Sequence, residues 1–190
     1  MSEFDGIPDT VEEFLEILSE FDEFHNMAEL LHNPNYHPEG DSSFKAHMMA
    51  VFEKWHANPN RTAMGFWAMA FHDIGKQATA RFNKERGFHS FIKHESVGAE
   101  IFVDKYLDHN GITRDFADHI EWIIQQHTNF WFVQKPGKSL AIATHPAFET
   151  LAEVCLADKM GLTLPDGRVM DEEWDGRVAY FVAMRETNSH

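Results

Sequence analysis

Apolar residues recur along the chain at helical spacing, and turn residues interrupt them at intervals. Val11, Phe14, Leu15, Leu18, Phe21 and Phe24 predict a first helix, capped by Asp9 or Thr10 and running to Asn33-Pro34. The stretch from Asn33 to Asp41 reads as a loop. A second helix from Ser43 to His56 places Phe44, His47, Met48, Val51, Phe52 and Trp55 on one stripe before Asn58-Pro59-Asn60 stops it. The third, Thr62 to Asp73, is apolar nearly all round, which predicts a central buried helix ending at Gly75. Periodicity is lost from Lys76 to Phe91, where a long functional loop or short irregular elements are expected.

Helical spacing resumes at His94, with Val97, Ile101, Phe102 and Tyr106 or Leu107 inward and Asn110-Gly111 as a left-handed cap. Thr113 starts the next helix, carrying Phe116, Ile120, Ile123, Ile124 and His127, and Lys135-Pro136-Gly137 reads as a further loop. Pro146 to Met160 follows with Phe148, Leu151, Val154, Cys155 and Asp158 inward, and a last helix over 172–185 packs through Trp174, Val178 and Phe181. Strand-like alternation is weak throughout. The expected fold class is therefore all-α: a single compact domain over 1–190, with an N-terminal helix over 1–33, a core over 43–160 and the C-terminal helix.

Several polar residues stand where this spacing demands core residues, which is costly unless something satisfies them. His47 follows Phe44 and precedes Val51, His127 follows Ile123 and Ile124, and Asp158 follows Val154 and Cys155, so all three point inward. His72-Asp73 ends the most apolar helix, and His94 opens a helix whose stripe continues through Val97 and Ile101. A lone inward histidine is most often a hydrogen-bonded core residue, and a buried carboxylate can be answered by Arg or Lys. A metal ion shared among these groups answers all of them at once.

Composition narrows the chemistry. Of 190 residues 43% are hydrophobic and 25% charged, and the longest nearly apolar run, Ala63 to Phe71, is far short of the ~20 residues a membrane span needs. No basic region followed by an apolar stretch opens the chain, which favours a cytoplasmic protein. The single cysteine, Cys155, excludes an internal disulfide and any thiolate pair for zinc, so a metal must use His and carboxylate. Cys155 itself reads as packing. The formal charge of −15 repels polyanions and argues against long non-specific contact with nucleic acid. Against that field, Lys76, Arg81, Lys84, Arg86 and Lys93 fall together with only Glu85 opposing them, a local reversal suited to a small phosphate or to a merely solvated loop. His89 in this stretch is a weaker candidate, as a proton donor to a leaving group. Phe82, Phe88, Phe91, Trp131 and Phe132 read as packing before base stacking, since the chain has 17 Phe. His25, His32, His56, His109, His119 and His145 show no consistent inward pattern and are left out of the site.

The series His47, His72-Asp73, His94, His127 and Asp158 on successive helices resembles the HD-domain superfamily of metal-dependent phosphohydrolases over most of the chain. His94 and His127, with His-Glu-Ser-Val-Gly-Ala at 94–99, resemble the binuclear branch that cleaves dinucleoside polyphosphates. A narrower likeness, to the HD domain of bacterial tRNA nucleotidyltransferases, rests on His37-Pro38-Glu39-Gly40-Asp41, on Phe71-His72-Asp73-Ile74-Gly75-Lys76 and on His94-Glu95. The spacer from Asp41 to His47 is longer here and the nucleotidyltransferase domain is lacking, so tRNA recognition is not implied. Gly75-Lys76 stand where ppGpp hydrolases carry acidic residues.

What the residues and the resemblance together lead us to expect is a phosphatase or (cyclic) phosphodiesterase of a nucleotide or terminal nucleic-acid phosphate. His47, His72, Asp73, His94, His127 and Asp158 would hold one or two divalent ions, Mn, Fe, Ni, Co or Mg, with zinc left open. Such ions acidify bound water and neutralise phosphoryl charge. Asp73 would ligate and orient the attacking water, Lys76 would stabilise transition-state charge, and Lys76, Arg81 and Lys93 would bind substrate phosphate. The expected partner is a small phosphorylated molecule, with no membrane contact. Alternatives are hydrolysis of a nucleoside triphosphate or dinucleoside polyphosphate, a di-iron oxygenase of a small polyol or phosphonate, and a non-catalytic metal or nucleotide-binding module.

Overall fold

The computed structural model describes residues 6–106 and 113–188. The expected contribution of Leu107 and the cap at Asn110-Gly111 lie outside those residues, as does His109. The described chain is an all-α single domain with one small hairpin. Helix α1 spans Val11–Ser19, α2 Phe44–Ala57, α3 Ala63–Phe71, α4 Lys76–Thr79, α5 His94–Tyr106, α6 Arg114–Phe132, α7 Pro136–Ala143, α8 Phe148–Lys159 and α9 Met170–Thr187. Strands β1 (Arg81–Asn83) and β2 (Phe88–Ser90) pair antiparallel between α4 and α5.

Capping residues set several of the starts. Thr10 and Glu13 form a reciprocal capping box on α1, and the hydroxyls of Ser43, Thr62 and Thr113 accept first-turn amides of α2, α3 and α6. Helix α3 is buried on nearly every side, as its composition predicts: Gly65, Phe66, Ala68, Met69, Ala70 and Phe71 are all inside. It packs against α2, α6 and α8, and α5 lies along α6. The Glu153 carboxylate of α8 ties the layer together, accepting from Trp55 Nε1 at 2.8 Å and from the Thr62 amide and hydroxyl at 2.9 Å each.

Three elements differ from the pattern-based expectation. Helix α1 stops at Ser19 and does not reach Asn33; two short 3-10 turns follow, Asp22–Phe24 and Met27–Glu29. Tertiary contacts override the periodicity there: Tyr106 Oη and Lys105 Nζ both donate to the buried Glu23 carboxylate at 2.5 Å, and Gln77 Nε2 donates to the Asp22 carbonyl at 3.0 Å. Lys135-Pro136-Gly137 is not a simple loop, because Pro136 opens α7 at a first-turn position that needs no N–H. The irregular Lys76 to Phe91 stretch resolves into α4 and the hairpin, whose strands are too short to show alternation in sequence.

Gly75 governs how closely these parts approach. A Cβ there would stand 2.1 Å from the His94 carbonyl oxygen and 2.6 Å from the Gly98 nitrogen, so only glycine lets the turn after α3 press onto the start of α5.

Candidate metal centre

Five elements deliver one side chain each, or a pair, to a single point. His47 comes from the first turns of α2, His72-Asp73 from the end of α3, His94 from the first residue of α5, His127 from α6 and Asp158 from the end of α8. His47, His72, Asp73, His127 and Asp158 are buried, and His94 is partly so. Asp73 lies at the centre. Its Oδ2 stands 3.1 Å from His72 Nε2 and 3.3 Å from His47 Nε2, while its Oδ1 stands 3.2 Å from His94 Nε2 and 3.7 Å from His127 Nε2. Asp158 Oδ1 faces His47 Nε2 at 3.3 Å. Each carboxylate oxygen of Asp73 thus serves a different pair of imidazoles, and two overlapping groups arise, His47-His72-Asp73 and Asp73-His94-His127, each compact enough to hold an ion.

Backbone carbonyls fix the tautomers. His72 Nδ1 meets the Met69 carbonyl at 2.6 Å, His94 Nδ1 the Phe91 carbonyl at 2.9 Å and His127 Nδ1 the Ile124 carbonyl at 2.7 Å. A carbonyl only accepts, so each Nδ1 carries a proton and each ring turns its Nε2 to the centre. His94 Nε2 and His127 Nε2 then face one another at 3.1 Å with Asp73 Oδ1 beside them. Two ring nitrogens and a carboxylate oxygen converging on one point form a set that can hold a cation. Two nitrogens each about 2.1 Å from a shared ion lie roughly 3.0–3.4 Å apart, so the spacing fits divalent-metal ligation. The Nε2 atoms of His47 and His72 are also buried without a hydrogen-bond partner. The donor set of imidazoles and carboxylates suits the first-row divalent ions and magnesium better than soft metals.

Electrostatics follow the same division. Burial opposes ionisation of Asp73 and Asp158, but His72 and Lys76 beside Asp73, and Lys159 and His47 beside Asp158, hold both carboxyls well below the usual range. Burial would depress His47; the carboxylates of Asp158, Asp73 and Glu39 prevail and raise it to about 9. His127, with burial dominant, falls to about 3 and stays neutral.

Lys76 sits at the same point, its Nζ 2.6 Å from Asp73 Oδ2 and over the rings of Phe44 and Phe91 at 5.4 and 5.5 Å. A cavity of about 690 Å³ opens there, lined by Asp73, Lys76, His94, His127 and Asp158 and also by Tyr36, His37, Trp131, Phe132, Lys159, Arg168, Glu173 and Arg177. Arg81 and Lys93 do not line it. They lie exposed on and just after the hairpin, with the Arg81 guanidinium donating to the Ala80 carbonyl at 2.8 Å. The cationic lining comes from α8 and the chain beyond it. His89 is engaged in holding the hairpin to the loop before α2, where its Nδ1 accepts from the Leu31 N–H at 3.1 Å and its backbone N–H donates to the Leu31 carbonyl at 2.8 Å. Phe82 is exposed on the hairpin, and Trp131 and Phe132 stand at the cavity.

Sequence reasoning missed a polar layer behind His47. His32, set aside for lack of an inward pattern, is only 2% exposed; its ring lies 4.4 Å from that of His37 and 5.3 Å from that of His47. Burial drives both His32 and His37 far below the usual imidazole range, so both are neutral. Glu39 Oε1 stands 4.0 Å from His47 Nδ1 and 3.7 Å from Lys54 Nζ. His32, His37 and Glu39 come from a segment without periodicity; the one available signal was the His37-Pro38-Glu39 tripeptide. His25, His56, His119 and His145 are elsewhere, His145 stacked on Trp122 at 3.7 Å.

A family model described as HD domain matches residues 46–160, which include every member of the Asp73-centred cluster. No curated protein and no solved structure matches the chain.

Proposed function

The chain belongs to the HD-domain family, whose members are mostly metal-dependent hydrolases, and on that premise we propose that it hydrolyses a phosphomonoester or a (cyclic) phosphodiester of a nucleotide or terminal nucleic-acid phosphate. The observation that carries this reading is the convergence of the Nε2 atoms of His94 and His127 on one oxygen of Asp73, while the other oxygen serves His47 and His72. His47, His72, Asp73 and Asp158 would hold one ion and Asp73, His94 and His127 a second. When bound, such ions supply the Lewis acidity that activates water and neutralises phosphoryl charge.

The remaining work falls to the side chains. Asp73, shared between both groups, fixes their separation and accepts a hydrogen bond from the attacking water. Lys76 brings a buried positive charge to the cavity floor, where charge on non-bridging phosphoryl oxygens grows in the transition state. Lys159, Arg168 and Arg177 bring positive charge to the cavity lining beside Glu173, in a chain of net charge −15, which favours a small anion there. Tyr36, Trp131 and Phe132 offer ring faces in the same lining, a surface suited to a nucleobase.

The test is elemental analysis of protein purified without chelator, joined to phosphate release from a panel of mono-, cyclic and triphosphonucleotides with Mn, Ni, Co and Mg added. Metal together with phosphate or nucleoside release supports the reading. Bound iron with oxygen consumption and no phosphate released overturns it in favour of oxygenase chemistry, and tight nucleotide binding without turnover leaves only a binding module.

A further inference from the structure

We propose that His32, His37 and His47 hold a further metal ion, in a three-histidine site behind the Asp73-centred group. One ring nitrogen from each of the three lies within 4.8 Å of the others. His32 is nearly fully buried and neither of its ring nitrogens has a hydrogen-bond partner. Among the described residues, eight of the ten buried side-chain polar atoms without a hydrogen-bond partner belong to His32, His37, Glu39, His47 and Lys54, and of these both ring nitrogens of His32 and Nδ1 of His37 have no ion pair either. Orphaned polar atoms are costly and normally scarce, so their concentration in one layer marks a place built for a ligand.

The kind of ligand follows from the donors. An imidazole that gives up its proton to a metal offers a lone pair, and three of them with an open fourth position form a set that holds zinc and similar divalent ions without a carboxylate. His47 stands between the two groups. Its Nε2 faces Asp73 and Asp158, which leaves Nδ1, the ring atom that no carbonyl claims, for the outer ion, so with ions on both sides His47 bridges as an imidazolate whose ring protons are displaced to solvent. Glu39 and Lys54, 3.7 Å apart, close the outer side as a charge-balanced pair. His37 also lines the cavity, so the open position is reached from the substrate side. This site stands whether or not the phosphohydrolase reading does.

Two measurements test it on the full chain. Protein loaded with zinc and freed of excess metal is analysed for ions per chain, and crystals of the same protein are measured at the zinc absorption edge. Three ions per chain, with anomalous density between His32, His37 and His47, is the expected result. His32→Gln should lower the count from three to two, and Asp73→Asn, which removes the shared ligand of the inner pair, should leave one. Two ions in the wild type with no density at the three histidines overturns the proposal and leaves the inner centre standing; no ions at all overturns both. Should His32→Gln fail to fold by circular dichroism, the anomalous density of the wild type decides alone.

Discussion

The inner and outer halves of the histidine cluster are built differently. His72, His94 and His127 are each locked by a carbonyl three residues earlier in the chain, at 2.6–2.9 Å, so a helical turn or its flank fixes both the tautomer and the aim. His32 and His37 belong to the segment between the 3-10 turns and α2, and His47 at its edge has a carboxylate at 4.0 Å in place of a carbonyl. The inner half is preorganised by backbone geometry that any sequence forming those turns would supply. The outer half depends on side chains from separate segments meeting correctly. The lesson is that ligand aim in this fold is robust where the backbone provides the second hydrogen bond and vulnerable where a side chain must.

The largest effect should come from the residue that joins both inner groups. Asp73→Asn is expected to abolish ion binding by the inner pair and lower turnover about 10³-fold or more, with helical content retained; metal analysis, initial rates and circular dichroism check this. Full metal content in that variant would break the central assignment. Lys76→Ala should keep the ions while turnover falls about 10²-fold, because the charge lost acts on the transition state and ligates nothing. An equal loss of metal would make Lys76 a structural counterion of Asp73.

The contrast is sharpened by Glu39→Gln. That change should weaken ion binding at His47 by roughly 10–100-fold, the scale typical of groups that orient a ligand, and leave the His94–His127 site unchanged in a competitive chelator titration. Acidity separates the halves without mutation. In the metal-free protein His127, at about 3 when folded against 6.5 in the reference state, stays neutral while the unfolded chain gains a proton, so stability falls as pH drops from 6.5 toward 3. His47, raised to about 9, gives stabilisation that is complete below 6.5 and is lost as pH rises through 9. Thermal melting against pH should therefore peak near 6.5, and metal, by displacing the His47 proton, should flatten the alkaline limb. An unchanged melting temperature between pH 7 and 9 in metal-free protein would contradict this. The smallest effect is expected for Arg81→Ala and Lys93→Ala, within about 2-fold in kcat/KM, since neither lines the cavity and exposed charges act weakly.

Periodicity made the inner residues legible. His47, His127 and Asp158 share helical faces with Phe44, Ile124 and Cys155, and a face that buries those neighbours buries the polar residue too. His72 and Asp73 were legible because the most apolar helix ends on them. The fold class was legible for the same reason, since a helical repeat persists through the longer helices. What periodicity cannot carry is contact between segments that lack it. His32 and Glu39 reach His47 through a loop, the Glu23 anchor that ends α1 early is supplied by residues of α5, and the cationic lining comes from Lys159 and the chain after it. The basic hairpin drew attention by local charge, and its exposure shows that net charge in a stretch of sequence says nothing of the direction it faces.

Gly75 carries a last consequence. Because the turn after α3 rests on the backbone of His94 and Gly98 with no room for a side chain, how closely the start of α5 approaches His72-Asp73 depends on an atom that is missing. The smallest side chain that selection could introduce there is a methyl, and it would displace the start of α5, and His94 with it, in a single step. At this turn, then, drift has no gradual step: any residue but glycine moves His94 at once.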